Sequence, residues 1–207
     1  MPQERCPEYR RHTDLNYRCH RNECPVCGPL KAKDYYETFK DVVGEGRWLG
    51  LTLTLSSKLV PKDMSFSLVK PMFQALVKRS KRVREESQYT PFIDYLGVVD
   101  VQKSGWAHIH VLVRVSETCN LSEFKSDVNN FVNNWTKTQI DLKTDKQIAS
   151  AHIQDIKSTE KRWLYHAIRK LRPWTQFPVW PYPINYKPFL ISRALRPGTS
   201  VDDQLSL

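Results

Sequence analysis

Residues 94–115 read DYLGVVDVQKSGWAHIHVLVRV, and the way this stretch folds governs everything around it. Apolar, β-branched runs on either side of Lys-Ser-Gly predict two strands, 94–102 and 106–115, joined by a short turn over 103–105. Residues two apart on a strand share a face, so His108 and His110 point one way while Ile109, Val111 and Val113 point the other. The opposing strand divides in the same manner, with Val99 and Val101 apolar and Asp100 and Gln102 polar. Closing the hairpin sets Asp100 and Gln102 across from the two histidines. Two imidazoles plus a carboxylate or amide, with room left for water or substrate, suit Mn²⁺, Mg²⁺ aided by a substrate phosphate, or another divalent ion. Asp100 and Gln102 both remain open as the third ligand, and the place of Gln102 nearer the turn tips the choice towards it. The competing reading is a solvated sheet face that happens to carry two histidines, and a His-x-His motif alone does not exclude it.

Working outward, RWLGLTLTLSS (47–57) reads as a strand with Leu51, Leu53 and Leu55 on one face and Thr52 and Thr54 on the other. A helix is expected over about 66–88, carrying Phe66, Val69, Phe73, Leu76, Val77 and Val83, with Pro71 marking a start or a kink. A second helix covers 122–137, with Phe124, Val128, Phe131 and Trp135 as its apolar stripe. ASAHIQDIK (149–157) is a further strand, and 158–171 a final helix capped by Ser158 or Thr159. The order β-α-β-β-α-β-α predicts an α+β fold, an antiparallel sheet with helices over at least one face. Three regions follow: a Cys-rich module over 1–30, a main domain over 31–172, and a Pro- and aromatic-rich extension over 173–207. The prolines of that extension forbid a long helix or central strand, so it should lie extended against the domain.

The chain has 207 residues, long enough for one sizeable core, and a formal charge of +10. That excess favours a polyanionic partner. No apolar run reaches the length of a membrane span, and MPQERCPEYRR lacks the apolar stretch of a secretory signal. A cytoplasmic setting with reduced cysteines is the expectation. Four of the five cysteines precede residue 28, and Cys24-Pro-Val-Cys27 follows Cys19 closely, with Cys6 upstream. Three clustered thiols plus one more suit a closed structural Zn²⁺ site, with His12 and His20 competing with Cys6 for the fourth place. Cys119, remote from these, is expected to be a buried or free thiol.

Tyr165 sits on the final helix among Lys161, Arg162, His166, Arg169 and Arg172. Cations around a tyrosine favour the phenolate and neutralise a phosphodiester, which is what attack on phosphorus requires. An ordinary amphipathic tyrosine among solvated cations is the plainer alternative. The run KRSKRVR (78–84) holds five cations, and Lys78, Arg79, Lys81 and Arg82 are candidates for gripping duplex DNA, with a solvated helix face as the alternative.

Taken together these residues resemble the HUH endonucleases, in particular the rolling-circle replication initiators of small plasmids, phages and viruses. The family takes its name from His, a hydrophobic residue and His, here His108-Ile109-His110. RCHRNECPVCG resembles the cysteine-rich lead-in of many plasmid initiators, LTLTLSS the first-strand motif, and GWAHIHVLV the metal motif. Tyr165 sits where the family keeps its nucleophile. The likeness covers about residues 6–172. One departure is plain: the family often has a lysine three residues after the tyrosine, where this chain has Ile168, followed by Arg169 and Lys170. The resemblance implies a five-stranded antiparallel sheet with flanking helices, a divalent ion on the histidines, and single-stranded or hairpin origin DNA as substrate. It further implies attack by Tyr165 to give a 5′-phosphotyrosine and a free 3′-hydroxyl, with Lys161, Arg162, Arg169 and Lys170 on flanking phosphates. A host polymerase and helicase would be partners, since no GxxxxGK[ST] occurs in the chain.

Rival readings are an HUH transposase, a relaxase, or a zinc-containing DNA-binding protein that cuts nothing. The long Cys-rich lead-in argues against the compact transposases, and a tyrosine after the histidines argues against relaxases. Metal analysis separates the two expected ions: after mild EDTA treatment zinc should remain with the chain while the divalent ion on the histidines washes out.

Overall fold

A computed structural model describes residues 46–86, 92, 94–102, 104–156 and 189–192, together with Cys24, Val26, Cys27 and Leu30. Of the side chains in 81–86 nothing is described. In chain order the elements are β1 (Arg47–Leu55), α1 (Lys62–Glu86), β2 (Asp94–Val101), β3 (Ala107–Val115), α2 (Leu121–Gln139), β4 (Ala149–Ile156) and β5 (Phe189–Ile191). The five strands form one sheet in the order β4-β1-β3-β2-β5, and every neighbouring pair is antiparallel. The expected α+β architecture is therefore present. No helix among the described residues is long and apolar enough to cross a membrane.

The sheet has one apolar face because three adjacent strands alternate in phase. Leu49, Leu51, Leu53 and Leu55 of β1 lie beside Ile109, Val111 and Val113 of β3 and Val99 and Val101 of β2, all buried in one core. α1 adds Leu68, Val69, Met72, Phe73 and Leu76, and α2 adds Phe124, Val128 and Val132, so both helices cover this face. Each fully buried Leu, Ile or Val side chain contributes about 1.5–3 kcal/mol, which makes this the main source of cohesion.

Three expectations are corrected in detail. α1 starts at Lys62, so Pro71 lies inside the helix and does not begin it. The buried stripe of α2 is Phe124, Val128, Val132 and Thr136, with Phe131 and Trp135 only partly buried beside it. Thr136 tolerates that position because its hydroxyl donates to the Val132 carbonyl at 2.7 Å. The fifth strand, β5, comes from the Pro-rich 173–207 stretch and pairs with β2 at the sheet edge through Leu96–Ile191, Gly97–Leu190 and Val98–Phe189. An edge place is what neighbouring prolines permit.

Polar side chains fasten the layers. Asn129 of α2 donates to the Ala151 carbonyl at 3.0 Å and accepts from the Ala151 N–H at 2.8 Å, so an amide side chain stands in for a neighbouring strand along the outer edge of β4. Just before β4, Asn133 Oδ1 accepts the Ile148 N–H at 2.9 Å. Arg47 spans β1 and β4, its Nη2 2.8 Å from Asp155 Oδ2, while Nη1 donates to the Cys119 carbonyl at 2.6 Å. The hydrogen bonds that Arg47 donates to Asp155 raise its pKa above the ordinary value, so the guanidinium stays charged wherever the protein is folded. Cys119 itself is buried. Towards the opposite edge of the sheet, Asp94 of β2 pairs with Arg114 of β3 and accepts from Ser192 Oγ at 3.0 Å, tying β5 into the sheet.

Gly97 sits where β2 and β3 approach closely: a Cβ there would lie 2.6 Å from Val111 Cγ2 and 2.8 Å from the His110 carbonyl oxygen. Because one obstruction is backbone, relief must move a strand. Gly97→Ala should destabilise the domain by about 1–3 kcal/mol, read as a lowered thermal or denaturant midpoint.

Candidate metal centre

The second face of the sheet carries the histidines. The pairing of β2 with β3 sets Asp100 directly opposite His108, and Val98 opposite His110. The pairing of β1 with β3 sets Thr54 opposite His108 and Thr52 opposite His110. β3 is the middle strand of the five, so both imidazoles are flanked on each side by hydrogen-bonded backbone and cannot drift.

The hairpin that delivers them is pinned at its tip. The Gln102 N–H donates to the Trp106 carbonyl at 2.9 Å, the Gly105 N–H to the Gln102 carbonyl at 2.7 Å, and Gly105 takes φ +92°. A left-handed residue at the end of a tight turn suits glycine, which has no Cβ to clash. Trp106 Nε1 then donates to the Val60 carbonyl at 2.9 Å, and the Ala107 N–H to Ser65 Oγ at 2.9 Å. The start of α1 thereby fixes the residue immediately before His108.

Three ligand atoms converge. His108 Nε2 and His110 Nε2 are 2.7 Å apart, and Asp100 Oδ2 lies 3.7 Å from each of them. The rings stand at 80° to one another, edge to face. Asp100 Oδ1 accepts the Val101 N–H at 2.8 Å, which turns its other oxygen towards the histidines. These spacings fit donors around one ion at about 2.0–2.2 Å from each, as divalent ions hold nitrogen and oxygen ligands. Asp100, His108 and His110 are thus a group able to hold a metal ion, and it is the one such group among the described residues.

Sheltering supports that reading over a merely solvated face. Asp100 and His108 are 4% and 8% exposed, and a carboxylate is rarely buried so deeply without a charged or polar partner. Leu112, Leu96, Val98 and Trp48 on the same face are also buried. Towards β4 the face opens instead: Ser150, Thr52 and Thr54 are half-buried, and His152 and Gln154 are exposed. The metal group therefore stands at the border between a buried apolar half and an accessible polar half.

Other expected residues are placed differently. Gln102 lies past the end of β2, where its Oε1 accepts from Ser104 Oγ at 3.3 Å, and Asp100 is the side chain that joins the histidines. The reason is register: Asp100 is paired directly with His108, while Gln102 lies one past the last pair, Val101–Ala107, and belongs to the turn. Lys78 and Arg79 belong to α1, in the helical layer on the opposite face from the metal group, and Lys81 and Arg82 fall on the later turns of the same helix. Arg79 is engaged with Asp127 of α2 at 2.8 Å and lies over the Phe131 ring, joining the two helices. Cys24 and Cys27 are both buried, and the Val26 and Cys27 N–H groups donate to Cys24 Sγ at 3.4 and 3.3 Å. Tyr165, Lys161, Arg162, Arg169, Lys170, Cys6, Cys19, His12 and His20 lie outside the described residues.

Thr52 is the site residue that sequence reading passed over. Its Oγ1 lies 3.1 Å from His110 Nδ1. The signal was present in the alternation of LTLTL, which sets Thr52 on the face opposite the leucines, but only the β1–β3 register identifies its neighbour.

A divalent ion held here would stabilise the folded chain by mass action, about 2.7 kcal/mol at a hundredfold excess over its dissociation constant. Mn²⁺ should therefore raise the thermal midpoint of the wild type. His108→Ala, His110→Ala and Asp100→Asn should each remove most of that rise, measured by scanning calorimetry with and without Mn²⁺.

No protein-family model matches the chain, and no curated protein or solved structure is similar enough to it to count as a relative.

Proposed function

We propose that the protein is an HUH-type nuclease, which nicks and rejoins single-stranded or hairpin DNA at a replication origin and so initiates rolling-circle replication. The observation that carries this reading is the convergence of Asp100, His108 and His110 on the central strands of an antiparallel sheet. The element order, the His-Ile-His motif and the +10 charge of the chain support it. When bound, the divalent ion, Mn²⁺ or Mg²⁺, supplies Lewis acidity to a phosphate oxygen.

The remaining chemistry belongs to the chain. Tyr165 is the proposed nucleophile. Its Oη bonds to phosphorus as the bond from phosphorus to the 3′-oxygen breaks, and that oxygen leaves as a 3′-hydroxyl after taking a proton. The 5′-phosphotyrosine left behind is a phosphodiester like the one consumed, so a later attack by a 3′-hydroxyl rejoins DNA without an added energy source. Lys161, Arg162, Arg169 and Lys170, which surround the tyrosine in sequence, are the proposed contacts to neighbouring phosphates. DNA would approach over the accessible half of the face, across Ser150, His152 and Gln154. Lys78, Arg79, Lys81 and Arg82, on the far layer, would at most touch flanking duplex.

A structural zinc on Cys6, Cys19, Cys24 and Cys27 is proposed alongside. The turn that brings two N–H groups onto Cys24 Sγ and buries both thiols supports Cys24 and Cys27 as a ligand pair. The proposed setting is the cytoplasm of a host cell, where a host polymerase and helicase would extend and unwind what the nick begins.

The test is incubation with a labelled single-stranded origin hairpin and Mn²⁺. A covalent protein–DNA adduct should form with wild type, disappear in Tyr165→Phe, and fall at least about 100-fold in His108→Ala, the order expected when positioned catalytic groups are lost. Adduct formation persisting in Tyr165→Phe overturns the nucleophile. Tight DNA binding without cleavage of any hairpin would favour a zinc-containing binding module instead.

A further inference from the structure

We infer that Thr52 is a positioning residue for the metal centre: it holds the His110 ring in the tautomer whose Nε2 lone pair faces Asp100 and His108. This inference rests on the metal-centre reading given under Proposed function.

A neutral imidazole carries one proton, on either Nδ1 or Nε2, and only the other nitrogen can ligate a metal. His110 Nε2 is the atom aimed into the group, 2.7 Å from His108 Nε2 and 3.7 Å from Asp100 Oδ2. The proton must then sit on Nδ1, and a sheltered N–H needs an acceptor. Thr52 Oγ1 lies 3.1 Å from that nitrogen. Metal-bound histidines generally give their second N–H to such an acceptor, which fixes ring orientation as well as tautomer.

The sheet makes this arrangement stiff. Thr52 is the residue of β1 directly opposite His110, with His152 of β4 on its other side. A β-branched side chain on a central strand has few χ1 choices, so its hydroxyl stays where the backbone sets it. The contrary tautomer also has a partner at hand: an Nε2–H of His110 could donate to His108 Nε2, 2.7 Å away. Without a Thr52 acceptor the balance shifts towards that form, whose Nε2 has no lone pair to offer a metal. The threonines of LTLTL thus acquire unlike roles, since Thr52 meets His110 and Thr54 lies opposite His108.

Valine replaces the hydroxyl by a methyl of similar shape and suits a strand, so Thr52→Val should fold, and thermal unfolding of the metal-free chain checks that. Long-range proton–nitrogen NMR of the ¹⁵N-labelled, metal-free full-length protein, at mildly alkaline pH where imidazoles are neutral, reads the tautomer of His110. Wild type and Thr52→Ser should show Nδ1–H, whereas Thr52→Val should show Nε2–H or a mixture. Mn²⁺ titration followed by electron paramagnetic resonance should find affinity about 10–100-fold weaker in Thr52→Val, and recovered in Thr52→Ser. A wild-type His110 protonated on Nε2 overturns the proposal without any variant. Unchanged tautomer and affinity in Thr52→Val overturn it as well. A wild-type chain that binds no Mn²⁺ overturns the metal reading itself, an outcome distinct from the other two.

Discussion

The pairing register of β3 between β1 and β2 is the constraint on which the rest of the molecule depends. One residue of slip would turn Ile109, Val111 and Val113 out of the core and drive His108 and His110 into it. The apolar side chains pay for the register, because burying imidazoles against Leu51, Leu53, Val99 and Phe73 would cost far more than a strand pairing returns. The core and the metal group are therefore two consequences of one alignment. Selection for a packed core on one face positions the histidines on the other.

The second face is not uniform, and its division gives the site its character. Trp48, Leu96, Val98 and Leu112 are buried there, while the β4 side is polar and accessible. Asp100, His108 and His110 stand between these halves. Such a border lowers the local dielectric enough to strengthen charge interactions with an ion, yet leaves one side accessible to solvent. Rigidity comes from several directions: Trp106 anchored on Val60, Ala107 on the start of α1, Asp100 Oδ1 held by the Val101 N–H, and Thr52 against His110. A group able to hold an ion benefits from ligands on strands with fixed neighbours.

Much of this was legible beforehand because alternation is a strong signal. LTLTL and AHIHVLV announce strands with opposite faces of unlike polarity, and KSG announces the turn. Where reading failed, a specific competing effect was at work. The α2 stripe was misjudged because Thr136 satisfies its hydroxyl within the helix and enters the core as if apolar. β5 escaped notice because three residues between prolines carry almost no periodicity, and they become a strand only through the β2 edge that receives them. The partners of Arg79 in α2, Asp127 and Phe131, lie 48 and 52 positions away and are not announced by local spacing.

The sequence by itself determined that two imidazoles would share one face of a hairpin with an acidic or amide partner, since a period of two follows from strand geometry alone. It also determined the α+β class and the basic character of the chain. Only the tertiary structure decided that Asp100 Oδ2 stands 3.7 Å from both histidines, because that depends on the β2–β3 register. It alone brought Thr52 to His110, residues 58 positions apart in the chain, because a partner across a sheet is set by register and strand order, and neither is written in local spacing.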